Sequence, residues 1–277
     1  MSNKSIKRID KQAFDVDAWH KLQNFTQARI GLGRAGGSLP TNAQLKFNQD
    51  HAKARDAVHA HIDFDAINTA LKQQNLSSIH LHSKAKDRTE FLQRPDFGRQ
   101  LNNNSKEALL HSASSHKKGM DVAIALVDGL SSVAIQKYGC ELVQQLIFEF
   151  NKLAYTSSSI MLVKQGRVAI GDEIGEIINA KSMVLIIGER PGLSAHDSLG
   201  VYYTYNPKLG LNDASRNCIS NIRPQGMSIH DATEKIIWLV NQSFNKKLSG
   251  VKLKDTTETT ENNRSQHSIS GNFLLPK

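Results

Sequence analysis

The stretch DVAIALVDG, residues 121–129, decides the fold of this chain. Apolar residues fill positions 122–127, and the stretch ends in the turn-forming pair Asp128-Gly129. A short apolar run that ends at a turn is typical of a strand buried on both faces of a parallel sheet. Apolar residues then recur every three or four positions from Ile135 to Leu153, the pattern of an amphipathic helix. The stretch therefore predicts the start of a strand–helix unit.

The same alternation continues downstream. Further strands are predicted at residues 159–163, 183–187 and 201–205, and further helices at residues 172–179 and 229–248. Strands that alternate with helices indicate a parallel sheet with right-handed crossover connections. We therefore predict an α/β fold, a Rossmann-like parallel sheet flanked by helices, over residues 120–254.

The flanking segments differ in character from this domain. Residues 1–119 are polar and weakly periodic, which predicts a mostly helical N-terminal section, and residues 255–277 are polar enough to predict a disordered tail. Within the N-terminal section we predict helices at 17–29 and 43–60, a short strand at 78–83, and a helix followed by a loop at 102–118. Thr41 or Asn42 would cap the second helix. The glycine-rich stretch at 31–37 is predicted to be a loop, because no apolar strand precedes it as a dinucleotide motif requires.

Composition limits the classes of partner. The 277 residues contain no apolar run of the ~20 residues that a membrane span needs, and residues 1–14 lack the apolar core of a secretory signal. The net charge is +9, but the basic residues are scattered and show no zinc-finger spacing or RRM-like aromatic stripe. We therefore expect no membrane and no nucleic-acid partner, and a basic surface that suits an acidic protein. Cys140 and Cys218 form no CxxC pair and suit a reducing, cytoplasmic location.

Three glycine-rich loops follow the predicted strands, at residues 128–131, 166–168 and 188–192. In open α/β sheets the ligand site lies outside the carboxyl ends of the strands, so these loops predict a binding site. Asp128 and Gly129 are secondary candidates there, whereas Ser131 or Ser132 fits a helix N-cap equally well. A hydrolase site built on His196-Asp197 or Cys218 is disfavoured, because adjacency in sequence does not place a base within reach of a nucleophile.

Several segments, in order over about residues 18–254, resemble the small (light) chain of ethanolamine ammonia-lyase. They are RIGLGRAG (29–36), Phe47 to Asp56 with its Asp50-His51 pair, RPDFGR (94–99), VDGLS (127–131), GRV (166–168), DEIGE (172–176), GERPGL (188–193) and RNCISNI (216–222). The last three are the most specific to the family.

The resemblance implies one subunit of an adenosylcobalamin-dependent lyase (EC 4.3.1.7) that degrades ethanolamine to acetaldehyde and ammonia by radical deamination. Such a subunit is active only with a larger TIM-barrel subunit, which would bind the ethanolamine, in a trimer-based hetero-oligomer. The cofactor would lie between the two subunits. The family's small-chain cobalamin contacts fall on Val168, Glu189 and Cys218, and no catalytic residue falls on this chain.

The chemistry of these residues is compatible with a corrin ring, which has an apolar face and a fringe of amides. Glu189 can accept a hydrogen bond from an amide, Val168 can pack on the ring, and Cys218 offers a small polarizable surface. Each also has an ordinary structural interpretation: Val168 as core, Glu189 as the partner of Arg190, and Cys218 as buried filler. The D-x-H-x-x-G motif is absent, so we expect no side chain of this chain on the cobalt.

Two alternatives stay open from sequence. The chain could be a non-catalytic α/β module that binds a nucleotide or a protein. Some members of the family carry a long N-terminal extension that promotes packaging in a bacterial microcompartment, whereas only a short basic segment precedes Asp17 here. A microcompartment therefore stays a weaker alternative to the cytoplasm.

Overall fold

A six-stranded mixed β-sheet with helices on both faces forms the body of the chain. The computed structural model describes residues 17–114, 119–192 and 194–254. The strands lie in the order β1-β3-β2-β4-β5-β6. They are β1 (Ser78–His82), β2 (Val122–Val127), β3 (Ile160–Lys164), β4 (Ser182–Gly188), β5 (Leu199–Tyr205) and β6 (Arg216–Ile222).

Helices cover the sheet and extend its N-terminal side. They are α1 (Thr41–His59), α2 (Phe64–Gln73), α3 (Arg88–Gln93), α4 (Asn103–Ser114), α5 (Ser132–Lys152), α6 (Ile170–Ile177) and α7 (Ile229–Lys246). Short 3-10 turns lie at His20–Asn24, Phe97–Arg99, Asp213–Ser215 and Gly250–Lys252. No helix in the described ranges is long and apolar enough to span a membrane.

The predicted Rossmann-like, wholly parallel sheet is not confirmed, because the sheet is mixed. Strands β1, β3, β2 and β4 are parallel, but β5 is antiparallel to β4 and β6 is antiparallel to β5. The connections explain the difference. Only residues 189–198 join β4 to β5, and only residues 206–215 join β5 to β6. A parallel crossover needs about a dozen residues or more, usually a helix, so these short connections favour antiparallel pairing.

The sheet is buried between two apolar layers. Helices α2, α5 and α7 pack on one face, where Leu142, Leu146 and Val240 belong to the core, and α4 and α6 pack on the other. Every residue of β2 is buried, as its uninterrupted apolar run predicts. Helix α5 begins at the predicted cap, since the Ser131 side chain accepts a hydrogen bond from the backbone N–H of Ala134.

The N-terminal section departs from several predictions. The helix predicted at 17–29 is wrong: only the 3-10 turn forms there, and it buries no residue. Thr41 and Asn42 do not cap α1, whose N-cap is Pro40 without a side-chain hydrogen bond. The predicted strand does form as β1, and it pairs with β3 at the edge of the sheet. The predicted polar tail, residues 255–277, lies outside the described residues.

Candidate functional site

A cleft of about 450 Å³ opens where β2, β3 and β4 end. All three predicted loops contribute to its lining, through Gly129, Gly166, Val168 and Glu189 among others. Tyr202, on the antiparallel strand β5, completes the wall. A larger groove of about 1060 Å³ lies between α5 and α7, but it contains none of the residues predicted for ligand binding. The strand-end cleft is therefore the candidate site.

The floor of the cleft is backbone brought into close contact. The N–H of Leu130 donates to the carbonyl of Gly188 at 3.0 Å, which joins the end of β4 to the loop after β2. A Cβ on Gly188 would overlap the carbonyl oxygen of Ser131, and a Cβ on Gly129 would overlap that of Gly188. Gly129 also has a φ of +57°, which favours glycine. Side chains are thus excluded from the floor by geometry.

Asp128 holds the loop between β3 and α6 in place. Its carboxylate accepts hydrogen bonds from the N–H groups of Gln165 (2.8 Å) and Gly166 (3.1 Å), and the Nη1 of Arg88 lies 4.0 Å away. Complete burial raises the pKa of Asp128, while these N–H donors and the Arg88 charge oppose the rise. Gln165 has a φ of +55°, an uncommon conformation that the hydrogen bond to Asp128 helps to fix. Asp128 therefore orients the loop that carries Val168.

Two arginines that the sequence did not single out support one wall of the cleft. The guanidinium groups of Arg88 and Arg167 lie over the ring of Phe91, at 4.7 Å and 4.5 Å from its centroid. Arg88 also donates to the carbonyls of Val58 and Gly129, both at 2.7 Å, and Arg167 to that of Phe91 at 3.0 Å. Burial lowers the pKa of both arginines. Among the described residues, the Nε of Arg167 is buried without a hydrogen-bond partner.

Val168 and Glu189 both line the cleft. Val168 lies just before α6, partly buried against the core beneath it. Glu189 follows β4 directly, and its Oε2 accepts a hydrogen bond from the N–H of Asn221 at 3.1 Å. Arg190 is exposed, and Glu189 contacts Asn221 instead of forming the salt bridge with Arg190 that the sequence also allowed. One oxygen of Glu189 is thus anchored to the end of β6.

Cys218 lies on β6 directly opposite Tyr202 of β5. Cys218 is exposed, so its interpretation as buried filler is wrong. Partial burial and the neighbouring thiol raise the pKa of Tyr202 to about 12, so its hydroxyl stays protonated at neutral pH. Desolvation by the surrounding protein also raises the pKa of the Cys218 thiol, and the neighbouring Tyr202 hydroxyl opposes the rise. Neither group is therefore set up as a nucleophile.

The disfavoured hydrolase site does not assemble in the described part of the chain. Asp197 accepts hydrogen bonds from the Nζ of Lys137 (2.8 Å) and the hydroxyl of Tyr138 (3.3 Å). The Oγ of Ser131 donates to the carbonyl of His196. These contacts tie the loop after β4 to α5, which is a structural role.

A buried ion pair lies beside the cleft. The Nη2 of Arg216, on β6, is 2.7 Å from the Oδ2 of Asp172, in the first turn of α6, and the two side chains are only 2% and 4% exposed. Burial raises the pKa of Asp172 to about 6; Arg216 opposes the rise, and Asp213 and Glu176 add to it. Sequence reasoning placed both residues in family motifs but did not pair them.

This raised pKa predicts a pH-dependent stability. The pKa of an unfolded aspartate is about 3.9, so the folded chain holds the Asp172 proton more tightly. The stability from this group is present below about pH 4 and is lost as the pH rises through about 6. We expect the free energy of unfolding, relative to that of the Asp172→Asn variant, to fall over this range. Urea unfolding of both chains at the two ends of the range tests this, and a difference that does not change with pH would contradict it.

The fold and cleft define a class of protein: an α/β protein with a candidate binding cleft at the carboxyl ends of its parallel strands. A family model described as ethanolamine ammonia-lyase light chain (EutC) matches residues 16–254, and the chain belongs to this family. The predicted function as the small subunit of that lyase is thereby confirmed at the level of the family. The alternative, a non-catalytic nucleotide- or protein-binding module, is not supported.

Curated relatives agree over nearly the full length. The chain is 44% identical to the ethanolamine ammonia-lyase small subunit of Pseudomonas syringae pv. tomato, over 99% of this chain and 98% of the relative. It is 46% identical to the protein of the same name from Pseudomonas fluorescens, over 93% of this chain and 94% of the relative. It is also 46% identical to the ethanolamine ammonia-lyase small subunit of Pseudomonas putida, over 93% of this chain and 95% of the relative.

Proposed function

We propose that the strand-end cleft holds part of adenosylcobalamin at the interface with an ethanolamine ammonia-lyase large subunit. The relatives are each named a small subunit, which supports a larger partner chain. In this proposal the large subunit binds the ethanolamine, the two chains assemble into a trimer-based hetero-oligomer, and the enzyme is cytoplasmic.

One observation carries the proposal: the cleft combines a rigid backbone floor with one acceptor and an apolar wall. A corrin ring has a broad apolar face fringed by primary amides, and the cleft offers Val168 to that face and Glu189 to an amide N–H. A volume of about 450 Å³ lies in the range that encloses a drug-sized molecule. Because adenosylcobalamin is much larger, a second protein surface has to cover the remainder.

The chain's own residues would position the cofactor and exclude water from it. When bound, adenosylcobalamin supplies radical chemistry through homolysis of its Co–C bond. Glu189 would accept a hydrogen bond through the oxygen that Asn221 does not occupy. Gly129 and Gly188 would let the ligand approach the backbone, and Tyr202 would close the side next to β5, with Cys218 opposite it on β6. No side chain of this chain would act on the substrate.

The direct test is acetaldehyde release from ethanolamine in the presence of adenosylcobalamin. We expect activity when this chain is co-expressed with its large subunit, and none from either chain alone. Corrin absorption of the purified pair provides a second readout. A pair that assembles but neither binds corrinoid nor releases acetaldehyde would overturn the proposal.

The predicted contact residues give a graded expectation for cofactor affinity. A hydrogen bond to a charged group contributes about 1.5–3 kcal/mol, so Glu189→Ala should weaken corrinoid binding by the pair about ten- to a hundredfold. Glu189→Gln, which keeps an acceptor for Asn221, should weaken it less. Cys218→Ala should have a smaller effect, because a thiol contributes only weak polar contacts. The measurement is a corrin absorption titration of the assembled pair.

Cys140→Ala is the matched control for the cysteine variant. Cys140 is the other free cysteine and lies on α5, away from the cleft. The Cys140→Ala substitution should leave corrinoid affinity unchanged. Equal affinities for the wild type and Glu189→Ala would remove Glu189 from the proposed contacts.

A further inference from the structure

We propose that the buried ion pair between Asp172 and Arg216 is a positioning device: it fixes Cys218, beside Tyr202 at the edge of the cleft, relative to Val168, which lines the cleft. This inference rests on the proposed function, because it concerns two of the side chains proposed to contact the cofactor. Asp172 and Arg216 themselves would not touch the cofactor; they would act through the elements that carry those side chains.

The two residues of the ion pair lie close in sequence to Val168 and Cys218. Asp172 lies in the first turn of α6, four residues after Val168. Arg216 lies on β6, two residues before Cys218. Side chains two residues apart on a strand point to the same face, and the register agrees: Arg216 is opposite Thr204 and Cys218 is opposite Tyr202. The ion pair therefore connects the segment that carries Val168 with the strand that carries Cys218.

The pair also spans a gap that the sheet alone does not control. Helix α6 packs on β4, and a Cβ on Gly171 would lie only 2.8 Å from the Cδ1 of Leu185 on that strand. Strand β5 lies between β4 and β6. The contact between Asp172 and Arg216 thus reaches from a helix seated on β4 across β5 to β6. It sets the position of β6 relative to α6 independently of the strand-to-strand hydrogen bonds.

Arg216 is held firmly enough to transmit that constraint. Its Nη1 donates to the carbonyl of Asn212 at 3.1 Å, and its Nη2 donates to that of Leu211 at 3.2 Å as well as to Asp172. A guanidinium with several fixed partners in a plane has little freedom to move. Both partners sit in the loop between β5 and β6, so that loop moves with the pair.

A role in stability alone is a poor explanation for such a pair. Removing two charges from water costs about as much as their attraction returns, so a buried ion pair is weak support for stability. Apolar residues of similar size would serve the core at least as well. The position of the pair behind Val168 and Cys218 gives it a role that apolar packing would not reproduce: a directional contact of defined length.

The test compares affinity with stability in the assembled enzyme. Asp172→Asn and Arg216→Lys should each raise the dissociation constant of the assembled enzyme for corrinoid about ten- to a hundredfold, as expected when a binding group is misplaced by about 1 Å. The KM for adenosylcobalamin should rise in parallel, while kcat at saturating cofactor should change much less. Arg216→Lys keeps the charge and should lose less affinity than Arg216→Met.

Lys181→Met is the matched control. Lys181 forms an ion pair of similar length, 2.6 Å, with Asp121 at the opposite end of the sheet, where β2 and β4 begin. Because the Lys181 side chain is 63% exposed, solvent screens its ion pair, and Lys181→Met should change thermal stability little and leave corrinoid affinity unchanged. The double variant Asp172→Leu/Arg216→Met keeps a similar side-chain volume without the directional contact. It should fold, but it should bind corrinoid more weakly than the wild type.

The outcomes separate this inference from the proposed function. If the wild-type pair of subunits binds no corrinoid, the proposed function fails and the inference fails with it. If the wild type binds corrinoid and Glu189→Ala weakens binding, but the Asp172 and Arg216 variants fold and bind as tightly as the wild type, only the inference is overturned. An apolar double variant with wild-type affinity would overturn it in the same way.

Discussion

Replacing Gly188 with alanine should eliminate corrinoid binding by the assembled enzyme and lower the thermal stability of the chain. Gly188 ends β4 at the floor of the cleft, and its backbone lies against the backbone of Ser131. An added Cβ would overlap the Ser131 carbonyl oxygen and would lie 2.7 Å from that of Asp128. Both obstacles are backbone atoms, so a change of side-chain rotamer cannot relieve the overlap.

The expected size of the effect follows from that geometry. Overpacking a core by one methyl group costs about 1–3 kcal/mol when side chains can adjust. Here the loops after β2 and β4 would have to separate, so we expect destabilisation of about 3 kcal/mol or more. Separation would also break the hydrogen bond from Leu130 to Gly188 and displace Glu189, the next residue. Affinity for corrinoid should therefore fall further than the loss of stability alone implies.

Gly192→Ala provides the control on the same loop. A Cβ at Gly192 would meet no atom within 4 Å. This variant should match the wild type in thermal unfolding and in corrin absorption titration. If Gly188→Ala matched it in both measurements, the close approach of the two loops could not be what shapes the cleft.

The central strands were predictable because burial on both faces demands uninterrupted apolar sequence. Strand β2 shows this most clearly, and β3 and β4 follow it. Strand β6 was missed, because its sequence, RNCISNI, has a mixed pattern of buried and exposed residues and carries a buried arginine. Its pairing depends on the direction of β5, which short loops set. Local periodicity contains no such information.

Helix α2 was missed although its signals were present. Asp63 caps it by accepting from the N–H of Ala66, and Phe64, Ile67 and Leu71 form a buried stripe at helical spacing. The cleft is a different case. The loops that line it were predictable from the rule for parallel strands, but the packing of Arg167 on Phe91 joins two segments, α3 and the loop after β3, that are distant in sequence. Val168, Glu189 and Cys218 were identified only through resemblance to the family, and their contact with a cofactor stays a prediction.

Asp128→Ala should be the second most damaging substitution at this site. Asp128 follows β2 directly and precedes Gly129 at the floor of the cleft, and its side chain is 3% exposed. Its removal leaves the N–H groups of Gln165 and Gly166 without their acceptor and leaves Arg88 without its counter-charge. Breaking one side of a buried charge interaction typically costs about 3–5 kcal/mol, and we expect a loss of stability in that range.

Asp128→Asn separates the two parts of this role. An asparagine oxygen can still accept from one N–H group but carries no charge for Arg88, so the loss of stability should be smaller than with alanine. Corrinoid affinity should still fall, because Gln165 at a φ of +55° would lose part of the restraint that directs Val168 into the cleft.

Asp96→Asn is the control for removing a charge that pairs with arginine. Asp96 lies 2.7 Å from Arg94, and both side chains are more than half exposed. Solvent screens such a pair, so this variant should unfold like the wild type.

The measurements are urea unfolding of the chain and corrin titration of the assembled enzyme. Because the loop after β3 depends on a carboxylate at the end of β2, losing Asp128 should affect stability and binding together, whereas Glu189 variants should affect binding more than stability. If Asp128→Ala lowered stability but left corrinoid affinity intact, the cofactor would not depend on that loop, and Val168 would no longer be a candidate contact.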